Sequence, residues 1–305
     1  MAPISSAQSA LSWCIVGRGA IGLLAAARLQ QAGYTASLWL KQSDVISLRF
    51  TNLKQQHQQQ ILLPQPAKQA IERLIVPVKA YDVLNAVAQL LPYLSANAQL
   101  VISHNGMIPI APLLARLGPA QGLWFLSTSQ AAYKPAADHV VHSGEGLSYL
   151  AKLTASDGDD SQIITAMNAA LGPVTVVPDI YPILWQKLAI NAAINPLTAL
   201  ENCQNGQLAQ PRYQAKISAL TTEVCLVASA LGYPMDPAAT LQRVYQVITA
   251  TSGNYSSMQQ DMQAGRQTEI AAICGYVCQQ AAKLQLAVPV NQQMLSRVLA
   301  KTATS

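Results

Sequence analysis

The sequence predicts an α/β domain built on a doubly wound parallel sheet, followed by an all-helical domain. Three observations carry this. A short apolar run at 12–16 leads at once into a glycine-rich turn, Gly17-Arg18-Gly19-Ala20-Ile21-Gly22. Apolar strand patterns then alternate with helical ones as far as Val177, the mark of parallel strands joined by crossover helices. From Ile180 onward only helical periodicity remains. The boundary falls near Asp179, giving domains of residues 1–178 and 179–305.

Residues 1–11 are small and polar and read as a loose tail. Residues 12–16 read as a buried strand and 23–31 as a helix stopped by Gly33. Residues 35–40 make a second strand ending at Lys41, which completes a βαβ unit with the glycines at its first turn. Residues 43–68 are rich in glutamine, and loops with short strands are expected there. Residues 74–78 read as a strand, with Pro77 an irregularity inside it. A helix over 81–94 follows, then a strand over 99–103 that leads into His104-Asn105-Gly106-Met107. A helix at 109–117, strands at 122–127, 140–142 and 148–153, an exposed acidic turn at 157–160, a helix at 161–171 and a strand at 174–177 complete the first domain. The second domain is expected to hold helices over 180–200, 211–232, 236–252, 256–264, 268–286 and 290–301.

Of the 305 residues, 51% are apolar and 11% charged, against a usual quarter charged. Such a chain buries a sizeable core and is not disordered. The net charge of +5 comes without a dense Lys/Arg run. That suits an anionic small molecule and speaks against nucleic acid. The odd, scattered set of five cysteines suggests reduced thiols in a cytosolic protein. Cys274 and Cys278 lack companion ligands, so no metal is expected. Neither a signal peptide nor a membrane span is expected: no positively charged leader is present, and no apolar stretch reaches about 18 residues.

The glycines of the turn have separate tasks. Gly17 makes the tight turn, Gly19 lets the backbone approach a pyrophosphate, and Gly22 lets helix and strand pack closely. The helix start, with Ala20 and Ile21, offers N–H groups and a partial positive charge to phosphates. The turn follows a strand and opens a helix, the context that a Rossmann-type dinucleotide site requires. An NAD site usually ends the second strand with an acid on the ribose 2′-hydroxyl. Here Lys41 stands there, and a cation favours a 2′-phosphate, hence NADP(H).

The helical domain opens on W-Q-K-L-A-I-N-A-A-I-N-P-L-T at 185–198. Lys187, Asn191 and Asn195 recur every four residues and share one stripe of a helix. The positions between them, Leu188, Ala189, Ile190, Ala192, Ala193 and Ile194, are apolar, so the helix belongs in a buried place. Buried polar groups need partners. Either neighbouring backbone satisfies the stripe, or it faces a ligand.

Taken together, G-R-G-A-I-G at 17–22, V-K-A-Y at 78–81, H-N-G-M at 104–107, K-L-A-I-N-A-A-I-N-P-L-T at 187–198, and N-Y-S-S-M-Q-Q-D with R-Q-T-E-I within 254–270 resemble the ketopantoate reductase (2-dehydropantoate 2-reductase) family. The resemblance covers nearly the whole chain and is thinnest over 43–68. It implies NADPH-dependent reduction of a small 2-ketoacid, 2-dehydropantoate, to pantoate, on the way to pantothenate and coenzyme A. It implies Lys187 as proton donor, with Asn191, Asn195 and Asn205 lining the substrate. Asn254 and Ser257 would hold the substrate's polar groups. Arg18 lies within the cofactor-binding turn. Lys79 and Asn105 would lie near the cofactor, with Asn105 also near the substrate. Ala132 matches a backbone contact to the nucleotide, and Glu269 a place where cofactor and substrate meet. Gln130, where some members carry histidine, Pro77 and the glutamine-rich segment depart from the family pattern.

The implied chemistry suits these residue types. Hydride addition to a ketone leaves charge on oxygen, which a positioned acid removes. An ordinary lysine is protonated at neutral pH, and apolar neighbours such as Trp185 and Leu188 would lower its pKa by desolvation. Asparagines bind carboxylate and hydroxyls without cancelling that charge. An unbroken helix would hold Ser257 and Glu269 about 18 Å apart. A break at Gly265, with Thr268 capping the next helix and Glu269 in its first turn, would resolve this. Lys79 and Asn105 follow strand ends, where ligands of open α/β sheets bind. His104 reads as structural. A reductase of another small 2-ketoacid, or a non-catalytic NADP(H)-sensing protein, would use the same plan. A helical second domain could support a homodimer, though no pattern demands one.

Overall fold

The computed structural model describes residues 11–40, 46–54, 58–64, 70–155 and 160–303. The chain divides into two compact units, one of Met1–His104 with Pro109–Ile180, the other of Asn105–Ile108 with Tyr181–Ser305.

In chain order the first unit's elements are β1 (Ser12–Val16), α1 (Ala20–Gln31), β2 (Thr35–Trp39), β3 (Ile46–Thr51), β4 (Gln58–Leu63), β5 (Ile71–Val76), α2 (Val83–Leu90), β6 (Leu94–Ile102), α3 (Ala111–Leu114), β7 (Gly122–Thr128), β8 (Ala131–Ala136), β9 (His139–Gly144), β10 (Ser148–Lys152), α4 (Asp160–Leu171) and β11 (Val174–Val176). Seven strands form one sheet in the order β11-β10-β7-β6-β5-β1-β2. Its pairs are parallel except β10, which runs antiparallel to β7. Trp13, Cys14, Ile15 and Val16 of β1 are all buried, as a strand covered on both faces requires. The chain reverses its strand order at β1, between β2 and β5, where open α/β sheets bind ligands.

The remaining four strands form a second sheet, β4-β3-β9-β8. Loops with short strands were expected over 43–68, and β3 and β4 are strands of that stretch. Ile46, Leu48 and Phe50 alternate inward, with Phe50 opposite Gln59 on β4 and Val140 on β9. The run Gln58-Gln59-Gln60 gives β4 no apolar alternation of its own at its start. The 140–142 strand belongs to this second sheet. Strand β8 was not expected. It lies at a sheet edge, where its Pro135 removes no inner ladder bond. Residues 41–45, including Lys41, and most of the acidic turn lie outside the described residues.

Other boundaries shift for local reasons. Strand β5 ends at Val76, so Pro77 lies beyond it. The helix expected over 81–94 becomes α2 between two 3₁₀ turns, Ala80–Asp82 and Leu91–Tyr93, the second containing Pro92. The helix expected over 109–117 is only the single turn α3.

The second unit holds α5 (Tyr181–Glu201), α6 (Pro211–Ala230), α7 (Pro237–Ala250), α8 (Ser257–Gln263), α9 (Cys274–Lys283) and α10 (Pro289–Ala303). The continuous helix expected over 268–286 is broken. A 3₁₀ turn, Ile270–Ala272, is followed by Ile273 at φ −101°, ψ −93°, and α9 begins afterwards. The buried Glu223 of α6 accepts from the N–H groups of Val290 and Asn291 and from the Asn291 amide, supplying the start of α10 with acceptors. Among the described residues, no helix is long and apolar enough to cross a membrane, and no cluster of three or more His, Cys, Asp or Glu could hold a metal.

Candidate active site

The glycine turn sits between β1 and α1. Gly17 has φ +80°, the left-handed region that glycine adopts without cost, and its N–H donates to the Trp39 carbonyl at 2.9 Å. A Cβ on Gly22 would lie 2.9 Å from Pro77 Cγ and 3.3 Å from Ile15 Cγ2. That residue therefore must be glycine for α1 to sit on the sheet, and Pro77 is the surface it sits on. Gly19 differs: a Cβ there would meet nothing closer than the Pro77 carbonyl oxygen at 3.7 Å. The protein leaves that space open, as close approach of a phosphate requires. Gly19 is also the N-cap of α1, with no acid in the helix's first turn. The leading N–H groups, those of Ala20 and Ile21 among them, suit an anion.

A pocket of about 510 Å³ opens beside this turn, lined by Val16, Gly17, Arg18, Trp39, Leu40, Val78, Asp82, Asn85, Ala86 and Gln89. Its size and position, at the ends of β1 and β2, fit the adenosine half of a dinucleotide. Lys79 immediately precedes the Ala80–Asp82 turn and is partly buried. Ala132 lies on β8, packed against the main hydrophobic core.

The second unit carries the proposed proton donor. Lys187, Asn191 and Asn195 lie along α5, partly exposed at Lys187 and Asn191 and buried at Asn195. The surrounding protein desolvates the Lys187 amine and lowers its pKa to about 8, while the charge of Glu269 acts in the opposite direction. Glu269 is itself 4% exposed, and the Asn105 side-chain amide donates to its Oε2 at 3.5 Å. Gly106 makes this approach feasible. It has φ +71°, and a Cβ there would fall 2.5 Å from the Ala272 carbonyl oxygen. The Met107 N–H donates to that same carbonyl at 2.8 Å.

The break between Ser257 and Glu269 occurs at Gly265, φ +62°. Thr268 does not cap a helix, contrary to expectation. Glu269 itself precedes the short 3₁₀ turn, without a side-chain cap bond. A 3₁₀ turn of three residues has little dipole to reward an acid, so a helix-start role does not explain Glu269.

Asn205 and Asn254 are brought together by backbone. The Asn205 N–H donates to the Asn254 carbonyl at 2.9 Å, and the Gly206 N–H to that of Ser252 at 3.0 Å. The Asn205 amide donates to Thr251 Oγ1 at 2.9 Å. Its buried Oδ1 has no partner among the described residues, which suits a site that awaits a polar ligand. Asn254 and Ser257 are exposed. Two residues that sequence reasoning missed tie this loop down. Thr198 Oγ1, one turn beyond Asn195, lies 2.7 Å from Ser256 Oγ, and Ser256 caps α8 by accepting from the Gln259 N–H. The S-x-x-Q spacing of a capping box could have flagged Ser256.

His104 is buried with its ring edge-on to Phe125, centroids 5.0 Å apart, a packing role as expected. Gln130 is structural: its amide donates at 2.7 Å to the carbonyls of Gly146 and Gly172, and its Oε1 pairs with His142 Nε2 at 2.7 Å.

Two family models match this chain, "Ketopantoate reductase PanE/ApbA" over residues 13–155 and "Ketopantoate reductase PanE/ApbA C terminal" over residues 179–302. The 2-dehydropantoate 2-reductase of Vibrio cholerae serotype O1 is 34% identical over 290 residues, covering 93% of this chain and 95% of its own. The chain belongs to the ketopantoate reductase family. It is therefore an oxidoreductase of a family whose cofactor is NADP(H). Among solved structures, a PanE/ApbA family ketopantoate reductase from Ralstonia eutropha JMP134 has a TM-score of 0.85 at 23% identity, covering 96% of this chain and 99% of its own. A ternary structure of D-mandelate dehydrogenase with NADH and anilino(oxo)acetate also scores 0.85, at 19% identity and the same coverage. At those identities the two share the fold of this ketopantoate reductase family member.

Proposed function

We propose that this chain reduces 2-dehydropantoate to pantoate with NADPH, a step towards pantothenate and coenzyme A. The observation that carries the reading is the setting of Lys187: a desolvated amine with a pKa of about 8, on the stripe that also presents Asn191 and Asn195. Such an amine is largely protonated at neutral pH and gives up its proton more readily than an ordinary lysine.

Gly17, Arg18, Gly19, Ala20, Ile21 and Gly22 would hold the diphosphate, with Lys79, Asn105 and Ala132 along the nucleotide and Lys41 on a 2′-phosphate. Bound NADPH supplies a hydride to the 2-keto carbon. Lys187 donates the proton that the carbonyl oxygen takes up, and its charge favours the developing alkoxide. Asn191, Asn195, Asn205, Asn254 and Ser257 orient the carboxylate and hydroxyl of the substrate. Glu269, bonded to Asn105, keeps the Lys187 amine protonated.

The D-mandelate dehydrogenase likeness supports a second reading, a reductase of another 2-ketoacid on the same fold. The test follows NADPH absorbance with ketopantoate and then with other 2-ketoacids. Fastest decay with ketopantoate supports the first reading, and preference for another ketoacid the second. NADPH binding with no turnover of any of them would favour a sensor.

A further inference from the structure

The second sheet reaches the cofactor turn through one side chain. On β8, Ala132 and Lys134 are two residues apart and so share a face; both are partly buried, while their neighbours Ala131, Tyr133 and Pro135 are exposed. The Lys134 amine donates to the Arg18 carbonyl at 3.1 Å. Arg18 stands between Gly17 and Gly19, and its carbonyl shares a peptide plane with the Gly19 N–H. In a trans peptide these two groups point in opposite directions. A bond that holds the carbonyl therefore aims the N–H.

We propose that Lys134 is a positioning residue for the cofactor's diphosphate, pinning the Arg18–Gly19 peptide so that the Gly19 N–H and the start of α1 face the phosphates. The turn needs such a prop. Gly19 has no side chain to fix its backbone, and its carbonyl accepts from the Leu23 N–H at 2.9 Å on the helix side, so the Lys134 bond holds the Arg18–Gly19 peptide from the other side. The amine also sits close enough to the Arg18 guanidinium that this charge, after burial, lowers its pKa. Two cations at one turn repel each other, and a bound anion relieves that repulsion.

This inference rests on the reading of the turn as a dinucleotide site, and the experiment separates the two. Dissociation constants are measured for wild type, Lys134→Met and Lys134→Arg with NADPH, NADH, ADP-ribose and adenosine 2′-monophosphate. Wild type that binds neither NADPH nor NADH would overturn the dinucleotide reading, and this inference with it. Given wild-type binding, Lys134→Met should weaken NADPH, NADH and ADP-ribose alike, by about threefold to tenfold, the size of one lost hydrogen bond. Adenosine 2′-monophosphate, which lacks the diphosphate, should bind unchanged. Lys134→Arg, which keeps a donor, should recover most of the loss. Undiminished affinity for ADP-ribose in Lys134→Met, or an equal loss for adenosine 2′-monophosphate, would overturn the role of Lys134.

Discussion

Glu269 is the charge that opposes the desolvation of Lys187. The two act on one proton. Reduction needs the amine protonated, so the rate should fall as pH rises through about 8. Glu269→Gln removes the opposing influence and lowers the amine's pKa further. The alkaline limb of kcat/KM should then move to lower pH. A pH–rate profile of both proteins checks this, and a limb that stays in place or moves upward speaks against the pairing.

The same shift bears on stability. The folded amine titrates near 8 and the unfolded one near about 10.4. Below 8 both forms are protonated and the folded state bears the full cost of a desolvated charge. Between the two values the unfolded chain binds more protons, so stability rises with pH across that window. Lys187→Met should therefore gain stability over wild type at pH 7 and lose most of that advantage by pH 10. Urea denaturation at the two pH values measures it, and a gain that does not shrink would contradict it.

Gly19 and Gly22 should respond oppositely to alanine. Gly22→Ala drives a methyl into Pro77 and Ile15 and should destabilise the fold by about 1–3 kcal/mol, the usual cost of overpacking. Gly19→Ala meets only ordinary contacts. Its melting temperature should barely change, while affinity for NADPH drops at least about tenfold because the methyl occupies the phosphate's place. Thermal melts and cofactor titrations of both variants decide this.

Among the described residues lining the proposed nucleotide pocket, Asp82 is the one carboxylate. A negative charge there disfavours a 2′-phosphate, against the influence expected of Lys41. Asp82→Asn should raise the preference for NADPH over NADH by a few-fold, since exposed charge interactions are worth roughly 0.2–1 kcal/mol. Unchanged relative affinities would show that Asp82 does not face the ribose.

Much of the candidate site was legible because its signals are local. The glycine turn is one contiguous motif, and the Lys187-Asn191-Asn195 stripe follows from the pitch of a helix. Features made by distant segments were hidden. Asn105 reaches Glu269 because Gly106 lets the backbone close on Ala272, and no periodicity encodes that meeting. Strand β4 had no clear bounds in the sequence because Gln58, Gln59 and Gln60 replace apolar alternation at its start. The kink at Ile273 lies in an apolar run that reads as helix, and Lys134 stands in an edge strand without a strand-like pattern. The break at Gly265 was visible from the glycine itself, but Thr268 looked like a cap only because the following turn was taken for an α-helix.

If Lys187 delivers the proton, removing its amine should cost turnover and leave cofactor binding intact. The most direct measurement is the turnover of wild type and Lys187→Ala at saturating NADPH and ketopantoate, with NADPH affinity titrated in parallel. A loss of about 10²–10⁴ in kcat with NADPH binding preserved is expected. Turnover within about tenfold of wild type would contradict it.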